Sequence, residues 1–152
     1  MPSPSVMIGE NPNDRWEETR MISTRGRYAL RVMLDLAEYG GEDPVPLKDI
    51  AARQELSKKY LEIIAREMVA GGLVEAASGK GGGYRLCREP KDYTIAEILE
   101  KTEGTMAPVG CLAEGAEACP RAGVCKTLPL WEEYDKLVHD FFSARTLADL
   151  LG

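Results

Sequence analysis

The chain has 152 residues, about the length of one domain, and 44% of them are hydrophobic, which suffices for a packed core. No stretch approaches the roughly 18 apolar residues of a transmembrane helix, and the N-terminus lacks the apolar segment of a signal peptide. We therefore expect a cytoplasmic protein without a membrane partner. The net charge of −6 argues at first against a nucleic-acid partner.

Charge is distributed unevenly along the chain. Residues 21–91 carry 12 Lys and Arg against 10 Asp and Glu, whereas residues 92–152 carry 5 against 11. Phosphate binding needs a local basic face and tolerates an acidic remainder. The first segment therefore stays a candidate for binding nucleic acid, although a net charge of +2 is weak support by itself.

Residues 1–20 precede any helical pattern. They contain three prolines and end in mixed charges, so we predict a mostly disordered tail. Ser23 is then a suitable N-cap for a first helix, whose apolar residues recur at helical spacing until Gly40 and Gly41 end it.

Two further helices follow, with a turn between them. One begins after Pro46 and ends near Gln54, and Ser57 is a good N-cap for the other. The apolar stripe of this third helix comprises Leu61, Ile64, Ala65 and Met68. Two short helices in this order are typical of a helix-turn-helix.

A hairpin and a fourth helix come next. Residues 73–77 and 84–86 predict two short strands, and the glycine-rich turn between them forms a wing. Thr94 and Glu97 form a potential capping box for a fourth helix that Gly104 ends. The sequence therefore predicts a mainly α fold with a small β-wing, a winged helix-turn-helix.

The last third of the chain is of a different kind. Residues 105–128 show no period and hold three cysteines, and a loop of this length is usually functional. Pro129 suits the first position of a long final helix, which a short segment from Thr146 to Leu151 follows. The helix has a wide apolar stripe of Leu130, Tyr134, Leu137, Val138, Phe141 and Phe142. This stripe favours a two-fold dimer interface, although it could also pack on its own chain.

The third helix opens with polar and basic side chains, where a recognition helix reads base edges in the major groove. Lysines there suit phosphates or guanine acceptors, Tyr60 a phosphate or a thymine methyl, and Glu62 a cytosine amine. The alternative is an ordinary charged surface on a small helical domain. The candidate DNA-binding residues are Arg25, Arg27, Ser57, Lys58, Lys59, Tyr60, Glu62 and Lys80, the last at the tip of the wing.

Cys111, Cys119 and Cys125 lie in the aperiodic loop, with seven and five residues between them. A cytoplasmic chain disfavours a disulfide framework, and soft thiolates favour an iron–sulfur cluster, zinc or copper(I). The short cysteine pairs of structural zinc sites are absent. We expect Cys87, at the end of an apolar strand, in the core, and His139 as an ordinary residue on the surface of the final helix.

Several specific motifs follow one another along the chain. They are residues 23–30 (Ser-Thr-Arg-Gly-Arg-Tyr-Ala-Leu), residues 44–51 (Pro-Val-Pro-Leu-Lys-Asp-Ile-Ala), Ser57 with Tyr60-Leu61-Glu62, the wing 81–84 (Gly-Gly-Gly-Tyr), the loop ending at Cys125 and running into Leu130-Trp131, and residues 146–150 (Thr-Leu-Ala-Asp-Leu). In these motifs the chain resembles the IscR-type winged-helix transcriptional regulator family, and the resemblance extends from Met21 to Leu151.

The resemblance implies a homodimeric repressor or activator that binds a double-stranded DNA operator. By position, Lys59, Tyr60 and Glu62 fall where the recognition helix of the family meets DNA. In the cluster-binding members of the family, three loop cysteines hold an iron–sulfur cluster whose state or occupancy changes which promoters are bound. Cys111, Cys119 and Cys125 fall on those ligand positions. The implied cofactor is a 2Fe–2S cluster, or a 4Fe–4S cluster, and the implied signal is redox state, nitric oxide or iron–sulfur status.

The chain departs from the family pattern in three places. The iron–sulfur biogenesis members space their cysteines five and five, have a histidine ligand where Leu128 stands here, and carry an arginine where Ser78 stands, with Lys80 as the candidate substitute. The fourth ligand is therefore open. The candidates are a carboxylate such as Glu114 or Glu117, a group from the partner subunit, and a small molecule or solvent.

These interpretations divide the chain into four parts: a disordered tail (1–20), a winged helix-turn-helix DNA-binding domain (21–104), a cysteine cluster-binding loop (105–128), and a dimerisation helix with a C-terminal segment (129–152). The alternative function is a cluster-free regulator of the same family that acts through a partner protein or thiol chemistry. We expect no enzyme and no small-molecule substrate. The chain has one histidine, and its glycine run lacks the helix that follows a phosphate-binding loop.

Overall fold

A computed structural model describes residues 22–152, so the predicted tail (1–20) lies outside the described residues. Five α-helices and one two-stranded antiparallel sheet make up the described part. They are α1 (Thr24–Tyr39), α2 (Leu47–Gln54), α3 (Lys58–Ala70), β1 (Val74–Ala77), β2 (Gly83–Leu86), α4 (Ile95–Glu103) and α5 (Leu128–Ser143), with 3-10 helices at Pro90–Asp92, Gly110–Leu112 and Ala148–Leu150. Within residues 22–152, none of the helices combines the length and apolarity needed to cross a bilayer.

The core lies where α1 meets α2, α3 and α4. The apolar faces predicted for these helices are buried, and each fully buried leucine or isoleucine contributes about 1.5–3 kcal/mol relative to an exposed one. The core cluster comprises Ala29, Val32, Met33, Leu36, Val45, Ile50, Leu61, Ile64, Met68, Leu73, Val74, Tyr93, Ile98 and Leu147. The helical periods read from the sequence are therefore confirmed for the first four helices.

Two of the three predicted N-caps are confirmed by their hydrogen bonds. The Ser57 hydroxyl accepts from the N–H of Tyr60 at 3.1 Å, and the Thr94 hydroxyl accepts from the N–H of Glu97 at 3.1 Å. The Glu97 side chain does not complete a capping box, because its carboxylate pairs with Arg88 at 2.5 Å.

A residue distant in sequence caps the N-terminus of α1. Ser23 occupies the N-cap position, but its side chain makes no capping bond there. Instead, Oε1 of Glu103 accepts from the Ser23 N–H (2.8 Å), the Ser23 hydroxyl (3.0 Å) and the Gly26 N–H (3.1 Å). A carboxylate at this position offsets the positive end of the helix dipole. A Cβ on Gly26 would lie 2.1 Å from the same oxygen, so only glycine leaves room for it.

The wing is attached to the segment before α2. Its two strands pair antiparallel, with Val74 opposite Leu86, and a further bridge joins Tyr84 to Val45 through N–H···O bonds of 2.8 and 2.9 Å. A Cβ on Gly83 would lie 2.2 Å from the Val45 carbonyl oxygen. The glycine-rich turn therefore includes a position where close backbone approach requires glycine.

The closing segment returns to the core of the winged helix. The N–H of Ile95 donates to the Arg145 carbonyl, and the N–H of Leu147 donates to the Tyr93 carbonyl, both at 2.9 Å. Leu147 is fully buried in the core cluster. The chain is thus anchored again immediately after α5 ends.

Candidate nucleic-acid interface and cysteine loop

The exposed side of α3 carries most of the predicted DNA-binding residues. Ser57, Lys58 and Lys59 are exposed, whereas Tyr60 and Glu62 are half-buried. The same side continues with Ile63, whose residue surface is 42% exposed, and with the exposed Arg66. Neither residue is among the predicted DNA-binding residues, although both lie within one helical turn of Glu62.

A groove of about 500 Å³ separates α3 from the wing and the start of α2. Its charged lining residues are Lys48, Lys58, Glu62 and Arg66, and the wing contributes Ala76, Ala77, Gly82, Gly83 and Tyr84. Three cations against one carboxylate make this groove locally basic on a chain whose net charge is −6. Lys48 was missed because it belongs to α2, although it lies in the 44–51 motif.

The other predicted cations lie outside this groove. Nη1 of Arg25 is 3.4 Å from Oε1 of Glu67, in the C-terminal half of α3, and Nη2 of Arg27 donates to the Thr24 hydroxyl at 3.1 Å. Both arginines remain exposed, and so does Lys80 at the tip of the wing. Lys59, exposed on α3, does not line the groove either.

The three loop cysteines all lie between α4 and α5 as free thiols. Cys111 is exposed on the 3-10 helix Gly110–Leu112, and Cys119 and Cys125 are half-buried. A hydrogen bond of 3.3 Å with the Thr127 hydroxyl lowers the pKa of the Cys125 thiol, which favours the thiolate that binds metals.

The three loop thiols are suitable metal ligands, but their present arrangement is not that of a metal site. Three thiols are the ligand chemistry of an iron–sulfur cluster or another soft metal. Over residues 22–152, however, no three His, Cys, Asp or Glu side chains lie close enough together to share a metal ion. The residues therefore fit such a group chemically, and binding one requires the loop to bring the three sulfurs together.

A second groove, of about 380 Å³, lies between the loop, α4 and α5. Glu114 lines it beside Leu112, opposite Glu100 of α4 and His139 of α5. Nε2 of His139 is 3.0 Å from Oε1 of Glu100. The surface position expected for His139 is confirmed, and its contact with α4 was not foreseen. Glu117 is exposed on the loop.

Cys87 does not lie in the core, contrary to expectation. It is exposed, directly after β2. Successive side chains of a strand point to opposite faces, so Cys87 follows the outward-facing Arg85, while Tyr84 and Leu86 pack on the core. The apolar run identified the strand correctly but not which of its residues face inward.

The apolar stripe predicted on α5 is divided between two faces. Val138 and Phe142 pack against Ile95, Leu99 and Met106 of the same chain. The remaining side chains form an exposed stripe, spaced by four, three and four residues, of Leu130, Tyr134, Leu137 and Phe141. Packing on the same chain therefore holds for Val138 and Phe142, and the dimer interface stays a prediction for the exposed stripe.

Comparison with known proteins identifies the family. Residues 22–152 match the Rrf2 family, described as an iron-dependent transcriptional regulator. The chain belongs to the Rrf2 family of transcriptional regulators. It is 39% identical over 130 residues to protein rrf2 of Nitratidesulfovibrio vulgaris, an alignment that covers 86% of each chain.

Two solved structures place this Rrf2 family member among known folds. CymR, the global cysteine regulator of B. subtilis, is 38% identical with a TM-score of 0.68 over 86% of this chain and 95% of that one. IscR of T. potens is 35% identical with a TM-score of 0.67 over 86% of this chain and 85% of that one. These matches confirm the predicted winged-helix fold and the resemblance to IscR-type regulators. They make the chain a DNA-binding transcriptional regulator and not an enzyme.

Proposed function

We propose that this chain is a cytoplasmic, homodimeric regulator whose operator binding responds to an iron–sulfur cluster held by Cys111, Cys119 and Cys125. The cluster would report redox state, nitric oxide or iron–sulfur status to the DNA-binding part. The observation that carries the DNA-binding part of the proposal is the basic groove between α3 and the wing.

Residues 21–104 form the DNA-binding domain in this proposal. The N-terminal turn of α3 would enter the major groove, so that Lys58, Lys59 and Tyr60 approach phosphates and bases while Glu62 accepts from a cytosine amine. The exposed Lys80 would meet the backbone or the minor groove beyond the wing. Arg25 and Arg27 would contact phosphates at the start of α1. Ser57 would fix the first turn of α3 through its cap.

Residues 129–152 contribute the dimer interface in this proposal. The exposed stripe of α5 has the four–three spacing by which two helices pack along their length. A second copy of the same stripe, related by a two-fold axis, would cover it without any other partner. The dimer would then present two α3 helices to half-sites about 34 Å apart.

Residues 105–128 form the sensing loop. When bound, the cluster would supply redox chemistry and a reaction site for small oxidants or nitric oxide. The three thiols would hold it, and Thr127 would favour the thiolate of Cys125. Glu114 lines the groove between the loop, α4 and α5, whereas Glu117 does not, and Glu114 is the carboxylate we favour as fourth ligand. An exchangeable oxygen ligand suits a sensor, because it leaves one iron open to attack.

A cluster-free regulator is the second candidate function. The similarity to CymR, at 38% identity, favours it. In that case the same loop would respond through thiol chemistry or through a partner protein.

The test combines a visible absorption spectrum with iron and acid-labile sulfide assays on anaerobically purified protein. We expect the wild-type protein to absorb visible light and to contain iron and sulfide in near-equal amounts. The Cys111→Ser, Cys119→Ser and Cys125→Ser variants should lose both iron and sulfide, whereas Cys87→Ser should keep them. Colourless protein that resists reconstitution would contradict the cluster, and elemental analysis would then show whether zinc replaces it. Gel-shift binding that depends on salt and is lost in a Lys59→Ala, Tyr60→Ala double variant tests the DNA interface separately.

A further inference from the structure

A fully buried carboxylate ties the end of α2 to α1. Asp35 has no exposed surface, and its oxygens accept from Arg53 at 2.6 and 3.0 Å and from the amide of Gln54 at 3.0 Å. A buried charge is tolerated only when it is paired and hydrogen-bonded, as here. The last two residues of α2 are therefore fixed to α1 by a charged contact.

Arg31 extends this network to the turn between α2 and α3. Its Nε donates to Oε1 of Gln54 at 3.1 Å, and its Nη2 donates to the Gln54 carbonyl oxygen. The next residue, Glu55, has a φ of 54°, a left-handed conformation that a residue with a side chain adopts at a cost. Arg31 thus holds both the side chain and the backbone of the residue that enters this turn.

The same guanidinium also faces the recognition helix through one aromatic ring. Its central carbon lies 5.3 Å from the centroid of the Tyr28 ring. The Tyr28 ring meets the Tyr60 ring edge to face, with centroids 5.6 Å apart and an angle of 82°. Tyr28 and Arg31 are three residues apart on α1, so a single helix face contacts both the end of α2 and the first turn of α3.

We propose that Arg31 is a positioning residue for DNA recognition. It fixes the turn that leads into α3 through Gln54, and it fixes the ring of Tyr60 through Tyr28. A planar guanidinium can donate along two directions while lying against a ring, whereas the ammonium of lysine cannot reproduce that geometry. This inference rests on the proposed role of α3 as the recognition helix.

A competing role for Arg31 is direct contact with a DNA phosphate, and the two roles predict different results. A phosphate contact depends on charge, acts on all sequences alike, and contributes about one to the salt-dependence slope of binding. A positioning role depends on the shape of the guanidinium and acts on the preferred sequence. Substitution by lysine retains the charge and removes the shape, so it distinguishes them.

The experiment uses the full chain and a duplex that the wild-type protein selects from a random pool. Affinity for this duplex and for a scrambled one is measured over a range of salt concentrations for wild type, Arg31→Lys and Arg31→Met. We expect both variants to bind the selected duplex about tenfold more weakly, the size of one mismatched base pair, with unchanged affinity for scrambled DNA and an unchanged salt slope. Rescue by lysine, together with a lower slope for Arg31→Met, would overturn the proposal in favour of phosphate contact.

A second pair of variants keeps the test informative if Arg31→Met unfolds, which thermal melting would reveal. Tyr28→Phe keeps the ring edge that meets Tyr60, and Tyr28→Leu removes it. We expect normal discrimination from the first and reduced discrimination from the second. Equal discrimination by wild type, Tyr28→Leu and Arg31→Lys would refute the positioning role alone. A wild-type protein that selects no duplex would instead refute the proposed recognition helix.

Discussion

The winged helix and the segment that follows it differ in how their functional residues are held. On the winged helix, the first turn of α3 is fixed by the Ser57 cap and by the ring of Tyr28, and the wing is bridged to Val45 before α2. In the loop after Gly104, the three cysteines are free thiols, and no three ligand side chains of the described residues lie close enough together to share a metal ion. The helix that follows, α5, exposes at least half of its residues. The proposed DNA-facing surface is therefore organised within a single chain, whereas the cysteine loop, if it holds a cluster as proposed, must first bring its three sulfurs together.

The largest expected effect comes from Leu147, the residue of the closing segment that is buried in the core cluster of the winged helix. Leu147→Ala deletes a fully buried side chain and should lower the free energy of unfolding by about 2–5 kcal/mol in urea titrations. Leu150→Ala, three residues later and 49% exposed, is the matched control and should change it by no more than about 0.5 kcal/mol. Equal effects from both would show that the closing segment is not part of the core.

A second prediction concerns the exposed stripe of α5. Leu137→Glu places a charge on a residue that is 66% exposed, so the fold of one chain should tolerate it while the dimer weakens at least about tenfold. Analytical ultracentrifugation over a concentration series measures this. Glu132→Gln, on the opposite side of the helix, should leave the association unchanged. A wild-type protein that is monomeric at all concentrations would contradict the proposed interface.

A third prediction tests the cap that Glu103 supplies to α1. Gly26→Ala would force the carboxylate away from the helix end, and we expect a loss of about 1–2 kcal/mol in the free energy of unfolding, as for other lost caps. Gly41→Ala is the control, because a Cβ there meets no atom within 4 Å. If Gly26→Ala is as stable as Gly41→Ala, the carboxylate does not contribute to stability.

The smallest expected effect is on thiol reactivity in metal-free protein. The pKa of Cys125 is lowered by its hydrogen bond to Thr127, so a larger share of this thiol is ionised near neutral pH. The pKa of Cys87 is raised, chiefly because nearby atoms displace water from the sulfur although the residue is exposed. Alkylation followed by peptide mass spectrometry should therefore show that Cys125 is alkylated a few-fold faster than Cys87, about the ratio of rates that a modest pKa difference gives. Thr127→Val should reduce that advantage, and a rate ratio that this variant leaves unchanged would contradict the assigned cause.

The sequence predicted the parts of the fold that depend on local periodicity and on short-range capping. The faces of α1 to α4, the caps at Ser57 and Thr94, and the glycine-rich wing all follow from neighbouring residues. Ser23 was predicted to cap α1 with its own side chain, and this is wrong, because the carboxylate of Glu103 supplies the cap. Glu103 is 80 residues away from Ser23, and no local pattern indicates their contact.

The limits of the site prediction have a similar cause. An apolar pattern indicates that a residue is buried, but it does not show which surface covers it. The sequence therefore could not separate the residues of α5 that pack on their own chain from those that remain exposed. The basic groove also includes Lys48 and Arg66, because α2, α3 and the wing meet there. The spacing of residues within one helix cannot reveal such a meeting of elements. The buried pair of Asp35 and Arg53 likewise depends on two helices and escaped notice.

The return of the chain to the core at Thr146 limits how α5 can move. The contacts of α5 with its own chain, through Val138 and Phe142, lie in its second half, close to the bridge between Thr94 and Thr146. Its first half continues directly from the cysteine loop. A helix of 16 residues is about 24 Å long, so a swing of about 5° around the anchored end displaces the other end by about 2 Å. We therefore expect a rearrangement of the loop to tilt the first half of α5, and with it the exposed stripe, about the point where α5 meets the winged helix.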